Sequence, residues 1–423
     1  MKTEILAVSV TFVEQPFISP LIISSGAITT LPEAIAKVMV RVNGREAAGK
    51  GSIYLSDLWA WPDPQLTHEQ RDAELRRICR QIANNLEPLC GGESLHPLEL
   101  GLRLHDNTCH GDFSGNQSNV PVLARAMCAS PFDAAIHDAV GIALNKSAFE
   151  FYREPTPLPT ADPYFNGDAC TAIRNVISSP KRQLKAWYLV IKNDRTEQLR
   201  PWVQERGYRC FKIKILGKDN DYDVARTIEV FHMVKELGAK NIELSVDTNE
   251  ANPNAESVLD YLQHLKEADA EAYEAFQYFE QPTGRDITVH RFDWREVAQL
   301  KPVMLDEGLT SLDLMREAVD QGWSGFALKT CKGHSFALTV AAWARQNNLL
   351  ISLQDLTNPG LSMIHSALFA AHVHTINDVE LNSPQFTPAA NQSFLPRLSG
   401  LFDPHDGIHQ LPTTTPVGLG SIL

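Results

Sequence analysis

The chain has 423 residues, 43% of them hydrophobic, enough to build a sizeable core in one large or two ordinary domains. Its net charge of −13 comes with no long basic run to track phosphates, so nucleic acid is not an expected partner. The seven cysteines are scattered singly without a CxxC or Cys/His cluster, a pattern of reduced thiols in a cytoplasm rather than of a disulfide frame or zinc site.

The first residues, MKTEILAVSV, carry Glu4 inside an alternating strand and lack the uninterrupted apolar core of a secretory signal. No run approaches the roughly 18 to 20 apolar residues of a membrane span, so no membrane partner is expected. ILAVSVTFV and AKVMVRVNG alternate as an antiparallel meander with one buried face. From Thr67 the spacing becomes helical, in HEQRDAELRRICRQIANNL and again in SPFDAAIHDAVGIALNK. An α+β unit therefore fills residues 1–160. The Pro- and Asp-containing stretch REPTPLPTADPYFNGD reads as the linker that ends it.

Beyond Lys185, β-branched or aromatic runs alternate with amphipathic helices. The predicted strands are KAWYLVI, CFKIKI, NIELSVD, FQYFEQP, KPVMLDE, GFALKT, LLISLQD and NDVELN. Such alternation implies parallel pairing, and eight units close into a (β/α)8 TIM-type barrel over residues 161–390. An open doubly wound sheet is the rival, but no GxGxxG follows the first strand. The Pro- and Gly-rich tail, residues 391–423, is expected to return to the first domain.

Barrel chemistry sits at the C-terminal ends of the strands. Those ends read Lys212 and Lys214, Asp247, Glu280, Asp306 with Glu307, Lys329, and Asp355. Any one of the acids has an ordinary alternative as the cap of the next helix. Three acidic ends on consecutive strands, flanked on both sides by lysine ends, call for a common cause. The three carboxylates repel one another unless a cation joins them. All-oxygen ligation by Asp247, Glu280 and Asp306 suits Mg²⁺, or Mn²⁺ in its place, better than zinc. Lys214 and Lys329 would face each other across a substrate, with pKa values lowered by the cation, and Lys212 would neutralise developing charge.

These motifs, KIK at 212–214, SVDTN with Asp247 and Asn249, FEQP with Glu280, LDEG with Asp306 and LKTCK with Lys329, resemble those of the enolase superfamily. The likeness is to its muconate-lactonizing and dipeptide-epimerase branch. It extends to SPFDAAIHDAVGIALNK, similar to the last helix of that family's capping domain, and to DGIHQLPTTTPVGLG, similar to its closing segment. The resemblance implies a modified barrel with an N-terminal α+β capping domain completed by the C-terminal tail. It also implies abstraction of the proton alpha to a carboxylate, with a metal stabilising the enediolate. Racemisation or epimerisation of a small carboxylic acid or amino acid derivative is the expected outcome. Cycloisomerisation or dehydration through the same enolate is the alternative, and a non-catalytic metal-binding barrel is the alternative of another class. A homo-oligomer is expected by analogy.

A relative of mandelate racemase would place a histidine after the seventh strand, where this chain has SLQD. LDEG stands where ADES is commoner, leaving Glu307 open between substrate contact and lysine partner. Lys332 reads as a loop or helix-start lysine. Substrate contacts are expected from ISPLIISSGA (18–27) and GSIYLSDLWAWPDP (51–64), with Tyr54, Trp59 and Trp61 as an apolar lid whose alternative is packing between domains. Asn249, Glu307 and Asp355, and also Glu380, are further candidates for the substrate. His365 reads as a packed or exposed helix residue.

Overall fold

The structure is a computed structural model that describes residues 1–23, 26–111, 113 and 119–423. Among them, three strands form an antiparallel sheet: β1 (Thr3–Ile23), β2 (Gly26–Val42) and β3 (Arg45–Tyr54), in the order β1-β2-β3. The predicted alternation is visible in β2, where Ala34, Ala36, Val38 and Val40 are buried and Lys37, Met39 and Arg41 are exposed. The buried face lies on the helix Val122–Leu144. That helix is enclosed on almost every side, which explains why its sequence shows no polar stripe. Contact is backbone to backbone: a Cβ on Gly49 would meet Ala139 N at 2.1 Å, and one on Gly51 would meet Pro131 O at 2.1 Å.

After the short strand β4 (Gln183–Lys185), seven parallel strands follow: β5 (Trp187–Val190), β6 (Cys210–Lys214), β7 (Glu243–Asp247), β8 (Phe276–Glu280), β9 (Val303–Leu305), β10 (Gly325–Leu328) and β11 (Leu350–Leu353). Their order is sequential, β5 through β11, as right-handed βα crossovers dictate. The eighth predicted strand, NDVELN, is reduced to one parallel bridge between Gln354 and Glu380. Its backbone reaches β11 through Glu380 N to Leu353 O at 3.0 Å and Asp355 N to Glu380 O at 3.1 Å. On the β5 side, side chains replace the ladder. Gln385 accepts from Leu189 N at 3.0 Å and donates to Leu189 O at 2.8 Å, and Asn382 donates to Trp187 O at 3.2 Å. Two carboxamides thus satisfy edge groups that a regular eighth strand would have paired.

Most of the C-terminal segment stays on the barrel. The last strand, β12 (Ile408–Gln410), pairs antiparallel with β4, and Asn391 accepts from Gly360 N at 2.8 Å. Only its end crosses to the N-terminal unit, where Gly418 bridges Ser147 and Leu419 N donates to Asp138 at 2.9 Å. Asp138, on the helix Val122–Leu144, also accepts from Lys50 N at 3.0 Å. One buried carboxylate therefore joins sheet, helix and tail. The seven cysteines are free, and among the described residues no helix is long and apolar enough to cross a membrane.

Candidate active site

The strand order brings the predicted charges around one mouth. Lys214 ends β6, Asp247 ends β7, Glu280 ends β8, Asp306 follows β9 and Lys329 follows β10, so two lysines flank three consecutive acidic ends. Lys212 lies two residues before Lys214, one pleat deeper on the same face of β6. Its Nζ is 2.7 Å from Glu280 Oε2, 3.3 Å from Asp247 Oδ2 and 3.5 Å from Glu380 Oε2. Lys214 bonds Asp247 and, at 2.9 Å, Asn249 Oδ1. Lys329 bonds Asp306 and lies 3.6 Å from Glu280 Oε1. Lys332, read from the sequence as a loop or helix-start residue, does precede the helix His334–Gln346. It is nonetheless buried, with its ammonium 3.0 Å from Asp306 Oδ1.

Burial and charge act against each other here. Burial works to push the Asp247 carboxyl up, but Lys214 and Lys212 hold it at about 2. Burial raises Glu280 to about 8 despite Lys212, with the Asp247 charge adding to the rise. Glu307 is raised to about 7 by burial and by the neighbouring Asp306 charge. Burial works to lower Lys329, yet Asp306, Glu280 and Glu307 leave it above the ordinary lysine value. With carboxylates as its neighbours, Lys329 is shifted opposite to the direction expected beside a cation.

The donor set suits a hard divalent cation. Glu280 Oε1 is a buried acceptor without a hydrogen bond, and Asp306 Oδ1 faces the Lys332 ammonium at 3.0 Å. Among the described residues, no three acidic, histidine or cysteine side chains stand close enough together to hold a metal ion; lysine ammonium groups lie among the carboxylates and neutralise them instead. The residues present therefore fit a cation in donor type and in the unbonded Glu280 oxygen, and those ammonium contacts would have to loosen for one to bind.

Residues beyond the predicted set position these groups. Gln281, at φ 33, accepts from Asp306 N at 3.0 Å and Gly308 N at 3.1 Å, tying the ends of β8 and β9 together. Gln354, the Gln of SLQD, donates to Glu280 Oε2 at 2.9 Å. Asn249 and Glu250 both adopt positive φ, 46 and 70, a conformation that non-glycine residues enter only when held. The turn aims Asn249 at Lys214 and Glu250 at Arg285. Arg285 in turn donates to Trp59 O at 3.1 Å and Ala60 O at 3.3 Å, clamping the N-terminal segment over the mouth.

Lys212, Lys214, Lys329, Asn249, Asp355, Glu380 and Trp59 share the wall of one pocket. Leu21, Ile28, Leu189 and Leu356 add an apolar side that the sequence reading did not single out by residue. Of the expected lid, Trp59 lines the pocket, whereas Tyr54 does not: it is fully buried beneath, in a cluster with Leu31 and Phe386. Trp61 is likewise buried in the core. Glu307 is not among the residues of that wall; it accepts from the Trp59 indole at 2.8 Å and its charge acts on Lys329. Ser24 and Ser25 of the expected 18–27 contact stretch lie outside the described residues. Asp355 is pushed up to about 8 by burial and keeps one oxygen without a hydrogen-bond partner. His365 is packed, not exposed, and burial lowers it to about 3.

Several known proteins share this architecture. The N-succinyl-L-Arg/Lys racemase of Bacillus cereus is 23% identical over 390 residues, covering 90% of this chain and 88% of its own. Among solved structures, the muconate lactonizing enzyme of Pseudomonas fluorescens complexed with muconolactone superposes with a TM-score of 0.65 at 19% identity, over 99% of this chain and 96% of its own. The dipeptide epimerase of Enterococcus faecalis complexed with Mg and the dipeptide L-Leu-L-Tyr gives a TM-score of 0.65 at 15% identity, over 99% of both chains. Residues 194–421 match the family described as Enolase C-terminal domain-like, and the chain belongs to that family of enolase-superfamily enzymes.

Proposed function

We propose that this protein abstracts the proton alpha to a carboxylate and returns it on the opposite face, racemising or epimerising a small carboxylic acid or amino acid derivative. The observation that carries this reading is the placement of Lys214 and Lys329 in one pocket, on strands separated by β7, β8 and β9. One amine serves each face of the alpha carbon, the first as base and the second as acid, with the roles exchanged in the reverse direction. Lys212, held among three carboxylates, supplies fixed positive charge where the substrate becomes an enolate. Asp247, Glu280 and Asp306 would hold Mg²⁺, or Mn²⁺ in its place. Such a cation supplies electrostatic stabilisation of the substrate carboxylate as negative charge grows on it. Trp59 and the apolar wall exclude water, and Asn249 orients Lys214.

The racemase and epimerase relatives support this outcome. The lactonizing neighbour supports a second reading, cycloisomerisation with the same lysines. Amines on both sides of the acidic ends argue against a merely structural metal site. The functional division that follows is a capping unit of residues 1–160 over a catalytic barrel of 161–390, with 391–423 closing the chain. The test is incubation in heavy water with Mg²⁺ and a panel of N-acylamino acids, dipeptides and sugar acids. Deuterium at the alpha carbon with inversion is expected. A new ring or a loss of water moves the chain to the second reading or to a lyase, and no exchange across the panel contradicts the proposal.

A further inference from the structure

Trp59 enters the mouth from the helix Asp57–Ala60, which has four residues and no side-chain cap at Ser56. Its own backbone bonds, Ala60 N to Ser56 O at 3.0 Å and Trp61 N to Asp57 O at 2.7 Å, are too few to hold such a turn in water. Groups outside it must fix the ring.

Two arginines do so from opposite sides. Arg285 of the barrel holds the carbonyls of Trp59 and Ala60 at the end of the turn. At its start, the Asp57 carboxylate is 1% exposed and accepts from Arg71 Nε at 2.8 Å, out of the first turn of the helix His68–Asn84. Arg71, itself 4% exposed, also donates through Nη1 to Asp63 O at 3.0 Å and Leu66 O at 2.5 Å. One guanidinium therefore gathers the start of the turn and the loop that leaves it, a task suited to its rigid fork of donors. His68 Nδ1 lies 3.1 Å from the same Asp57 oxygen, but with a side chain 40% exposed it is the weaker hold. The Asp57–Arg71 pair is buried, so removal of either partner leaves a charge uncompensated.

The consequence falls on one wall of the pocket. Trp59 touches Glu307 and the Lys329 ammonium, whereas Lys214 is held by Asp247 and Asn249. We propose that Arg71, acting through Asp57, is a positioning residue for Lys329: from the capping unit it sets the Trp59 ring against that amine, and so acts on one face of the alpha carbon. The inference rests on reading Lys214 and Lys329 as the amines of opposite faces, and its test separates the two.

The full chain with Mg²⁺ is compared with Arg71→Met and with Arg71→Lys, which keeps the charge beside Asp57 but not the fork. Alpha-proton exchange in heavy water is followed on each enantiomer of an exchanging acid. In Arg71→Met, the enantiomer whose exchange survives in Lys214→Ala should slow about tenfold more than its mirror image, as expected for one lost charge-assisted contact. Arg71→Lys should recover part of that loss, and adding Trp59→Phe to Arg71→Met should cost nothing further. Asp57→Asn, which keeps an acceptor for Arg71, should give the same asymmetry in weaker form, and it decides the matter should Arg71→Met not fold. Equal slowing of both enantiomers, or of neither, overturns the proposal, as does full additivity with Trp59→Phe. Acrylamide quenching of the Trp59 emission, taken as the difference between each protein and its Trp59→Phe counterpart, needs no turnover. The ring, 7% exposed, should be shielded in the wild type and open to the quencher in Arg71→Met. A ring still shielded there overturns the proposal. A ring opened by the variant, together with no exchange by the wild type on any acid, upholds the hold of Arg71 on Trp59 and removes the acid–base role of Lys329.

Discussion

The indole N–H of Trp59, from the segment that follows β3, donates to Glu307 Oε1 across the barrel mouth at 2.8 Å, and the same ring lies 4.9 Å below the Lys329 ammonium. One aromatic side chain thus orients a buried acid by hydrogen bonding and a buried amine by cation–π attraction. Trp59→Phe keeps the ring but removes the donor, at a cost of about 1–3 kcal/mol. The expected result is a drop in kcat/KM of about tenfold or more, with Tm lower by a few degrees at most. Unchanged kinetics would reduce the contact to packing.

A second link crosses the same boundary deeper down. Asp133, on the helix Val122–Leu144, accepts from Ser335 N at 2.8 Å and Ser335 Oγ at 2.8 Å, capping the barrel helix His334–Gln346 from outside it. His137 Nε2 lies 3.1 Å from the same carboxylate. Burial works to raise this carboxyl, but the His137 contact and the histidine charges hold it below the usual range. Asp133→Ala would leave buried donors without an acceptor and cost about 3 kcal/mol. A Tm several degrees lower is expected, with Asp133→Asn intermediate, measured by calorimetry.

Acid should unfold the protein partly through its buried histidines. Burial lowers His96 and His365 to about 3 and His409 to about 4. Each is neutral in the fold and takes up a proton on unfolding below its unfolded value of about 6.5. Their contribution is full above that pH and declines as pH falls towards the folded values. At pH 5 each removes about 2 kcal/mol relative to neutral pH. Tm should therefore be level from pH 7 to 8 and fall from pH 6.5 downward, less steeply in His365→Leu, whose Nε2 has no partner to lose.

Gly51 packs against Pro131 with no space for a methyl group. Gly51→Ala should cost about 1–3 kcal/mol by forcing β3 off the helix, visible as a lower Tm with kcat nearly preserved in the folded fraction.

What the sequence made legible follows from what each residue's position depends on. Asp247, Glu280, Asp306 and Lys329 announce themselves because each closes a short apolar run, and strand ends in a parallel barrel converge on one face. Lys332, Gln281 and Gln354 gave no such signal. Their importance lies in partners 26, 25 and 74 residues away, contacts that local pattern does not encode. Tyr54 and Trp59 look equivalent as aromatics of one segment, yet one lies beneath the pocket and the other lines it, a difference fixed by where β3 ends. The run NDVELN has the composition of a strand. Its closure of the barrel through Asn382 and Gln385 side chains is a tertiary outcome.

Racemisation by this site depends on two amines serving opposite faces of one carbon. Its most direct test is proton nuclear magnetic resonance of an exchanging acid, each enantiomer supplied separately in heavy water to Lys214→Ala and Lys329→Ala with Mg²⁺ present. Each variant should lose racemisation while still exchanging the alpha proton of one enantiomer, and the two variants should choose opposite enantiomers. Racemisation at the wild-type rate in either variant, or the same enantiomer exchanged by both, would contradict it.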